Sequence, residues 1–355
     1  MKSLNGLNEP PVQMNYSNPY IIYPVNRVLE RAIASSLRLL DEETLKLATP
    51  DRSVPVADNF LFTRGNFEQH TFSANVFEKL RDALESTLTD EFRQQDPLAW
   101  AETQNRLGNI LGAIGQQLHD ADVFQKSIEC FMLALEEFKQ EGNPLEWAET
   151  QASLATALQA LGRLESDAKA LNKAVDAYTA ALLVYTKKET LEEWKLIMLQ
   201  LGMTMHTYGT LLKGDRTFQK AVVAFKNAIS ELDADNYPVE LAAAHNNCGA
   251  VLLNQAESEE NPERFEEAAR SYETGWKVCM EQQRPVHLSV LCRVNKATAR
   301  GKLAELTNDA VLAEDIADEF ELIIECFPHA LQPLCAKHCE AQLNQARKLS
   351  GTPTV

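Results

Sequence analysis

Cys335, His338 and Cys339 stand at i, i+3 and i+4, so a helix through them carries two thiols and an imidazole on one face, with Cys326 and His329 shortly before. That is enough soft ligand for zinc if the chain folds back on itself. The spacing matches no strong zinc motif, and buried thiols on a capping helix with His338 at their edge are the commoner outcome of such a cluster. Signatures of catalysis are thinner. There is no glycine-rich phosphate loop, no GxSxG and no HExxH, and the paired acids Glu136-Glu137 and Glu259-Glu260 fall at helix ends or turns, where they read as solvated charge. The expectation is a protein with no catalysis of its own and no cofactor, Cys335, His338 and Cys339 being weak metal candidates.

Arg293, Lys296, Arg300 and Lys302 form a positive stripe on a chain that carries 34 Lys and Arg against 51 Asp and Glu, a formal net charge of −17. A local reversal of this kind attracts an acidic segment. The same stripe also reads as a solvated face offsetting neighbouring acids such as Glu305, and both readings stay open. The overall negative field repels phosphate backbones and anionic lipid, which argues against nucleic acid as a partner. No stretch reaches the roughly 18 apolar residues of a bilayer span, and MKSLNGLNEPPVQ has no apolar run of a leader, so a soluble, cytoplasmic protein is expected. Seven cysteines, an odd number without the tight spacing of a disulfide scaffold, read as reduced thiols.

The elements that carry these residues follow from a period. Laid against itself, the chain brings Trp100, Trp147, Trp194, Leu241 and Leu288 into one column at 47-residue spacing, with Pro97, Pro144, Pro238 and Pro285 three places ahead of it in four of the five units. Proline fits the first turn of a helix, where its missing N–H costs nothing. Downstream, WAETQNRLGNILGAIG, WAETQASLATALQALG and WKLIMLQLGMTMHTYG place apolar residues at three- and four-residue intervals, one buried helical face each. Gly108, Ala155, Gly202 and Gly249 form a small column that costs helix propensity and so needs a packing reason. In LLKGDRTFQKAV, Gly214 can take a left-handed cap and Asp215 can accept from the next helix's free N–H groups; Asn261 and Pro262 mark the same start one unit later. A second helix then repeats small, aromatic and small residues: Ser127, Ala174, Ala221 and Ala268; Phe131, Tyr178, Phe225 and Tyr272; Ala134, Ala181, Ala228 and Gly275. These share one face, which packs on the first helix and the next unit.

Leu107-Gly108 and Leu201-Gly202, with Leu111, Leu158, Met205 and Leu252, resemble the first-helix pattern of a tetratricopeptide repeat, and the small-aromatic-small column resembles that family's second helix. The family's unit is about 34 residues and units of about 40–47 belong to HEAT and armadillo repeats; the residue pattern favours a long tetratricopeptide variant, its extra length in the turn between helices and at the end of the second. The likeness covers roughly 73 to 326, strongest from 97 to 283. It implies an all-α, right-handed superhelical solenoid of antiparallel helix pairs. The expected organisation is an extended segment 1–24, a helix and linker 25–72, a half repeat 73–95, units starting near 97, 144, 191, 238 and 285, a capping helix 327–349 and a tail 350–355.

In that family the first helices line the concave surface. Residues two, five, nine, twelve and thirteen places after each column start are then the candidate groove: Glu102, Asn105 and Asn109; Glu149, Thr156 and Gln159; Leu199, Met203 and His206; Asn246 and Asn254; Arg293 and Arg300. Amides bond an extended backbone through either group, and Met203 and Leu199 give adaptable apolar contact. The lysine clamp for a C-terminal carboxylate, which some members of the family use, is not reproduced. The expected function is a scaffold or adaptor holding a partner's peptide or helix, with self-association compatible with it. The alternatives are a receptor for a small signalling peptide, and a helical metal protein or enzyme. The N-terminal prolines and tyrosines also suit a built-in ligand lying along the array.

Overall fold

The computed structural model describes residues 74–282, 286–327 and 333–351. The segment 1–24, the helix expected at 25–48, and Pro285 and His329 lie outside the described residues. Among the described residues there are thirteen helices and no strand, and no helix is long and apolar enough to cross a membrane.

A short entry of α1 (Ala74–Thr87) and α2 (Asp90–Gln95) precedes five pairs: α3 (Pro97–Leu118) with α4 (Ala121–Glu137), α5 (Pro144–Leu164) with α6 (Ala168–Ala181), α7 (Leu191–Leu212) with α8 (Asp215–Ile229), α9 (Pro238–Glu259) with α10 (Pro262–Glu281), and α11 (Val286–Thr307) with α12 (Ala310–Cys326). Helix α13 (Pro333–Ser350) closes the row. The sequence reads 74–92 as one helix; it breaks after Thr87 because Thr89 is extended and its hydroxyl accepts from Phe92 N, with Asp90 and Glu91 in the first turn of α2.

Helices α1 and α2 pack on α3; from α3 onward each helix packs on its chain neighbours, and each first helix also on the next first helix. The pairs are antiparallel. In the first pair Gly108, Gly112 and Gly115 face Phe131, Ser127 and Phe124 in reverse order. A Cβ on Gly108 would come within 2.7 Å of the Phe131 ring, and one on Gly249 within 2.9 Å of Tyr272, so the small column is the seat of the aromatic column. Phe131, Tyr178, Phe225 and Tyr272 are all fully buried there.

The turn inside each pair is short, and it repeats. His119, Ser166, Lys213, Glu260 and Asn308 take left-handed backbone at φ between 49° and 54°. Asp120, Asp167, Asn261 and Asp309 follow as N-caps whose side chains accept backbone N–H groups of the next helix. In the third pair Lys213, not Gly214, is left-handed; Gly214 has φ −112° and occupies the cap position, without a side chain to bond. The extra length of the unit lies in first helices of 21 or 22 residues and in the linkers between pairs, not in these turns.

A cation recurs at the start of alternate pairs. The Arg93 guanidinium lies 4.4 Å above the Trp100 ring and its Nε donates to Glu137 at 2.8 Å. Two units later Lys187 lies 5.7 Å from the Trp194 ring and pairs with Glu231 at 2.6 Å. The tryptophan column therefore marks both a helix start and a seam between pairs.

Candidate first-helix interface

The groove candidates fall into two groups. Glu102 and Glu149 are exposed at the starts of α3 and α5, and Thr156, Asn254, Arg293 and Arg300 are partly buried. Asn105, Asn109, Gln159, Leu199, Met203, His206 and Asn246 are buried. The expectation that all thirteen project away from helix contacts does not hold for this second group, of which Gln159, His206 and Asn246 bond to a neighbouring first helix.

The bonds form a row of rungs. Gln159 Nε2 donates to Thr204 Oγ1 at 2.8 Å, joining α5 to α7. Asn254 Nδ2 lies 2.7 Å from His206 Nε2, joining α9 to α7. Asn295 Nδ2 donates to Asn246 Oδ1 at 2.8 Å, joining α11 to α9. Thr298 Oγ1, which already donates to the Val294 carbonyl at 2.9 Å, accepts from His338 Nε2 at 2.9 Å and so joins α11 to α13. Thr156 makes a contact within its own pair, donating to the Ala152 carbonyl at 3.0 Å with Tyr178 Oη at 2.9 Å. The Asn109 amide donates to the Asn105 carbonyl at 3.0 Å in its own helix.

An amide N–H must donate to His206 Nε2, so the ring proton sits on Nδ1. That atom is buried and has no hydrogen-bond partner among the described residues, as have Asn105 Oδ1, Ser153 Oγ and Gln255 Nε2. Burial pushes the His206 pKa down from 6.5 to about 4, and does the same to His245. The edge of Phe218 completes the His206 environment, with ring centroids 6.0 Å apart.

Rows along the first helices change character. In α3 the face two, five and nine places after the tryptophan carries Glu102, Asn105 and Asn109; in α7 it carries Leu196, Leu199 and Met203; in α9, Ala243, Asn246 and Ala250. Helical periodicity puts Val239, Ala243 and Ala250 between the side of α9 bonded to α7 through Asn254 and the side bonded to α11 through Asn246. That direction points away from α8 and α10. Lys195, almost wholly buried, pairs with Glu192 at 2.8 Å and lies 3.9 Å from the Tyr237 ring, tying the starts of two units together.

The basic stripe meets the chain's own acids. Arg293 donates through Nε and Nη2 to the two carboxylate oxygens of Glu319 at 2.6 and 3.0 Å, which raises the arginine's pKa and lowers that of Glu319. Arg300 is 3.8 Å from Asp315, Lys302 is 2.6 Å from Glu257, and Lys296 lies over Trp276 at 5.4 Å. Neutralisation comes from α9 and α12 rather than from Glu305.

At the metal candidates, Cys335 and Cys339 are hydrogen-bonded to each other, which with burial pushes the Cys339 thiol far up, and His338 is turned onto Thr298. No group of three metal-ligating side chains occurs among the described residues. Sequence reasoning missed Thr204, Asn295 and Thr298 as rung partners; their signal was a polar residue inside an apolar helical run, ten or seven places after the column start. No protein-family model matches the chain, and no curated protein matches it.

Proposed function

We propose that the chain is a non-catalytic, tetratricopeptide-like right-handed solenoid that binds a polypeptide along the concave face of its first helices. One observation carries this reading. The second helices turn charged residues and isolated apolar ones such as Val223 to solvent, while the first helices align the partly buried Leu196 with the buried Leu199, Met203, Val239, Ala243 and Ala250. An apolar row between polar rungs is suited to an apolar helix face or an extended segment, the rungs fixing register and the row supplying contact area. The unpartnered polar atoms of Asn105, Ser153 and His206 lie along the same helices. A cytoplasmic adaptor or scaffold is the role that fits.

The test is selection of peptides from a displayed random library against the full chain, then measurement of their Kd on two variants. Leu196→Arg, on the face, should weaken binding at least ten-fold; Val223→Arg, on an exposed second-helix position, should leave it unchanged. Peptides indifferent to Leu196→Arg overturn the reading.

A further inference from the structure

We propose that the outward side of the second helices α4, α6 and α8 is a further interaction surface whose partner is an acidic polypeptide segment; it is separate from the first-helix face and does not rest on it. The observation is a column of cations left without acids. Lys126, Lys173 and Lys220 stand 47 residues apart at one position of three consecutive second helices, and all three are exposed. Lys169 and Arg216 lie one turn earlier on the same side of α6 and α8. None of these five makes an ion pair among the described residues. Elsewhere the chain does the opposite: Arg93, Lys187, Lys195, Arg264, Arg293 and Lys302 each meet a carboxylate.

The repeat shows why these lysines stay unmatched. One unit further on, Lys226 of α8 reaches Glu267 of α10 at 3.1 Å. Glu267 occupies the lysine column, so the same register sets Lys220 opposite Thr179 and Lys173 opposite Met132, neither of which is charged. Helix polarity adds to the excess. The second position of these helices holds Asp122 in α4 and Glu263 in α10, where free N–H groups favour negative charge, but Lys169 in α6 and Arg216 in α8. Asp215, the acid in the first turn of α8, accepts from Ser258 Oγ of α9 at 3.0 Å. On a chain of net charge −17 this is a local reversal, and unlike the stripe on α11 it is bound without breaking an internal pair. The shape of the patch favours a peptide over a nucleic acid. Asp122, Glu129 and Asp176 border the column, so a phosphate backbone, charged at every link, meets acids between the lysines. A peptide sets its carboxylates apart, lays uncharged residues over those acids and places an apolar side chain on Met132, which is 57% exposed.

The test uses the full chain and a fluorescein-labelled peptide of four Glu-Ala-Pro repeats, beside a labelled single-stranded oligonucleotide of similar length, both read by anisotropy. The peptide should bind, and raising salt from about 50 to 300 mM should weaken it at least ten-fold. Lys173→Glu with Lys220→Glu should also weaken it at least ten-fold. Lys337→Glu with Lys348→Glu, the same change in net charge at exposed lysines of α13, should leave it within two-fold of wild type. Melting temperatures separate lost binding from lost folding, and Lys173→Gln with Lys220→Gln, which adds no repulsion, should still weaken binding at least three-fold. No binding of the peptide at low salt, equal weakening by the two glutamate pairs, or tighter binding of the oligonucleotide at the same lysines overturns the proposal.

Discussion

The imidazole of His206 receives an N–H from Asn254, a residue one unit further along, at 2.7 Å, while its own Nδ1–H is buried without a partner among the described residues. A neutral ring is held in place by that bond, and burial disfavours its protonated form. That combination makes the seam between α7 and α9 sensitive to acid.

The sign of the effect follows from burial. The His206 pKa falls from 6.5 to about 4 on folding, and the His245 pKa does the same, so the unfolded chain binds more protons between those values and stability falls as pH drops through that window. For His206 the full effect is on the order of 3 kcal/mol. Urea midpoints between pH 7.5 and 4.5 should decline, and His206→Gln should flatten the slope. A midpoint unchanged from pH 7 to 5 would contradict the burial of the His206 ring.

Asn295 Nδ2 donates to Asn246 Oδ1 in a buried seam, so removing the Asn246 side chain takes away an acceptor that Asn295 uses there. Asn246→Ala should cost about 1–3 kcal/mol. The double variant with Asn295→Ala should cost less than the sum of the two single changes. This differs from the expectation drawn from sequence, in which Asn246 acts on binding rather than folding; strict additivity in chemical denaturation would restore it.

The aromatic seats predict overpacking. Gly202→Leu must displace the Phe225 ring, which a Cβ already meets at 3.0 Å, and should cost about 1–3 kcal/mol, as should Ala221→Leu. Phe225→Ala should cost roughly 3–5 kcal/mol, whereas a substitution at exposed Val223 stays within about 0.5 kcal/mol. Equal thermal midpoints for Gly202→Leu and wild type would show the seat to be open.

Lys213 and Gly214 hold a turn with the wrong residue in each place. Lys213→Gly relieves a left-handed backbone and Gly214→Asp restores the side-chain cap present in four other pairs. Together they should raise stability by roughly 1 kcal/mol, seen as a higher melting temperature; a decrease would mean that Lys213 makes a contact worth more than the backbone relief.

The five pairs were legible because their signals are local: proline at a helix start, small residues facing aromatics, and a 47-residue column of Trp100, Trp147 and Trp194. The left-handed position was not, since His119, Ser166, Lys213, Glu260 and Asn308 share no side-chain type, and Gly214 drew the assignment one place too far. The candidate face was harder. An asparagine facing a partner peptide and one facing the next helix have the same spacing, so Asn246 and Gln159 could not be told apart from Glu102 and Glu149 without knowing how closely consecutive first helices approach. The basic stripe failed to stand clear for a related reason, since Glu319 and Asp315 belong to a helix whose facing register the sequence leaves free.

Among the rungs and seams described above, the widest hydrogen bond spans 49 residues. Among these described contacts the sequence separation is therefore low, and none of them has to wait for the far terminus. A pair leaving the ribosome meets what it needs in the pair synthesised just before it, and a nascent chain paused between units exposes one unmatched rung and one unmatched apolar seam rather than an unformed core.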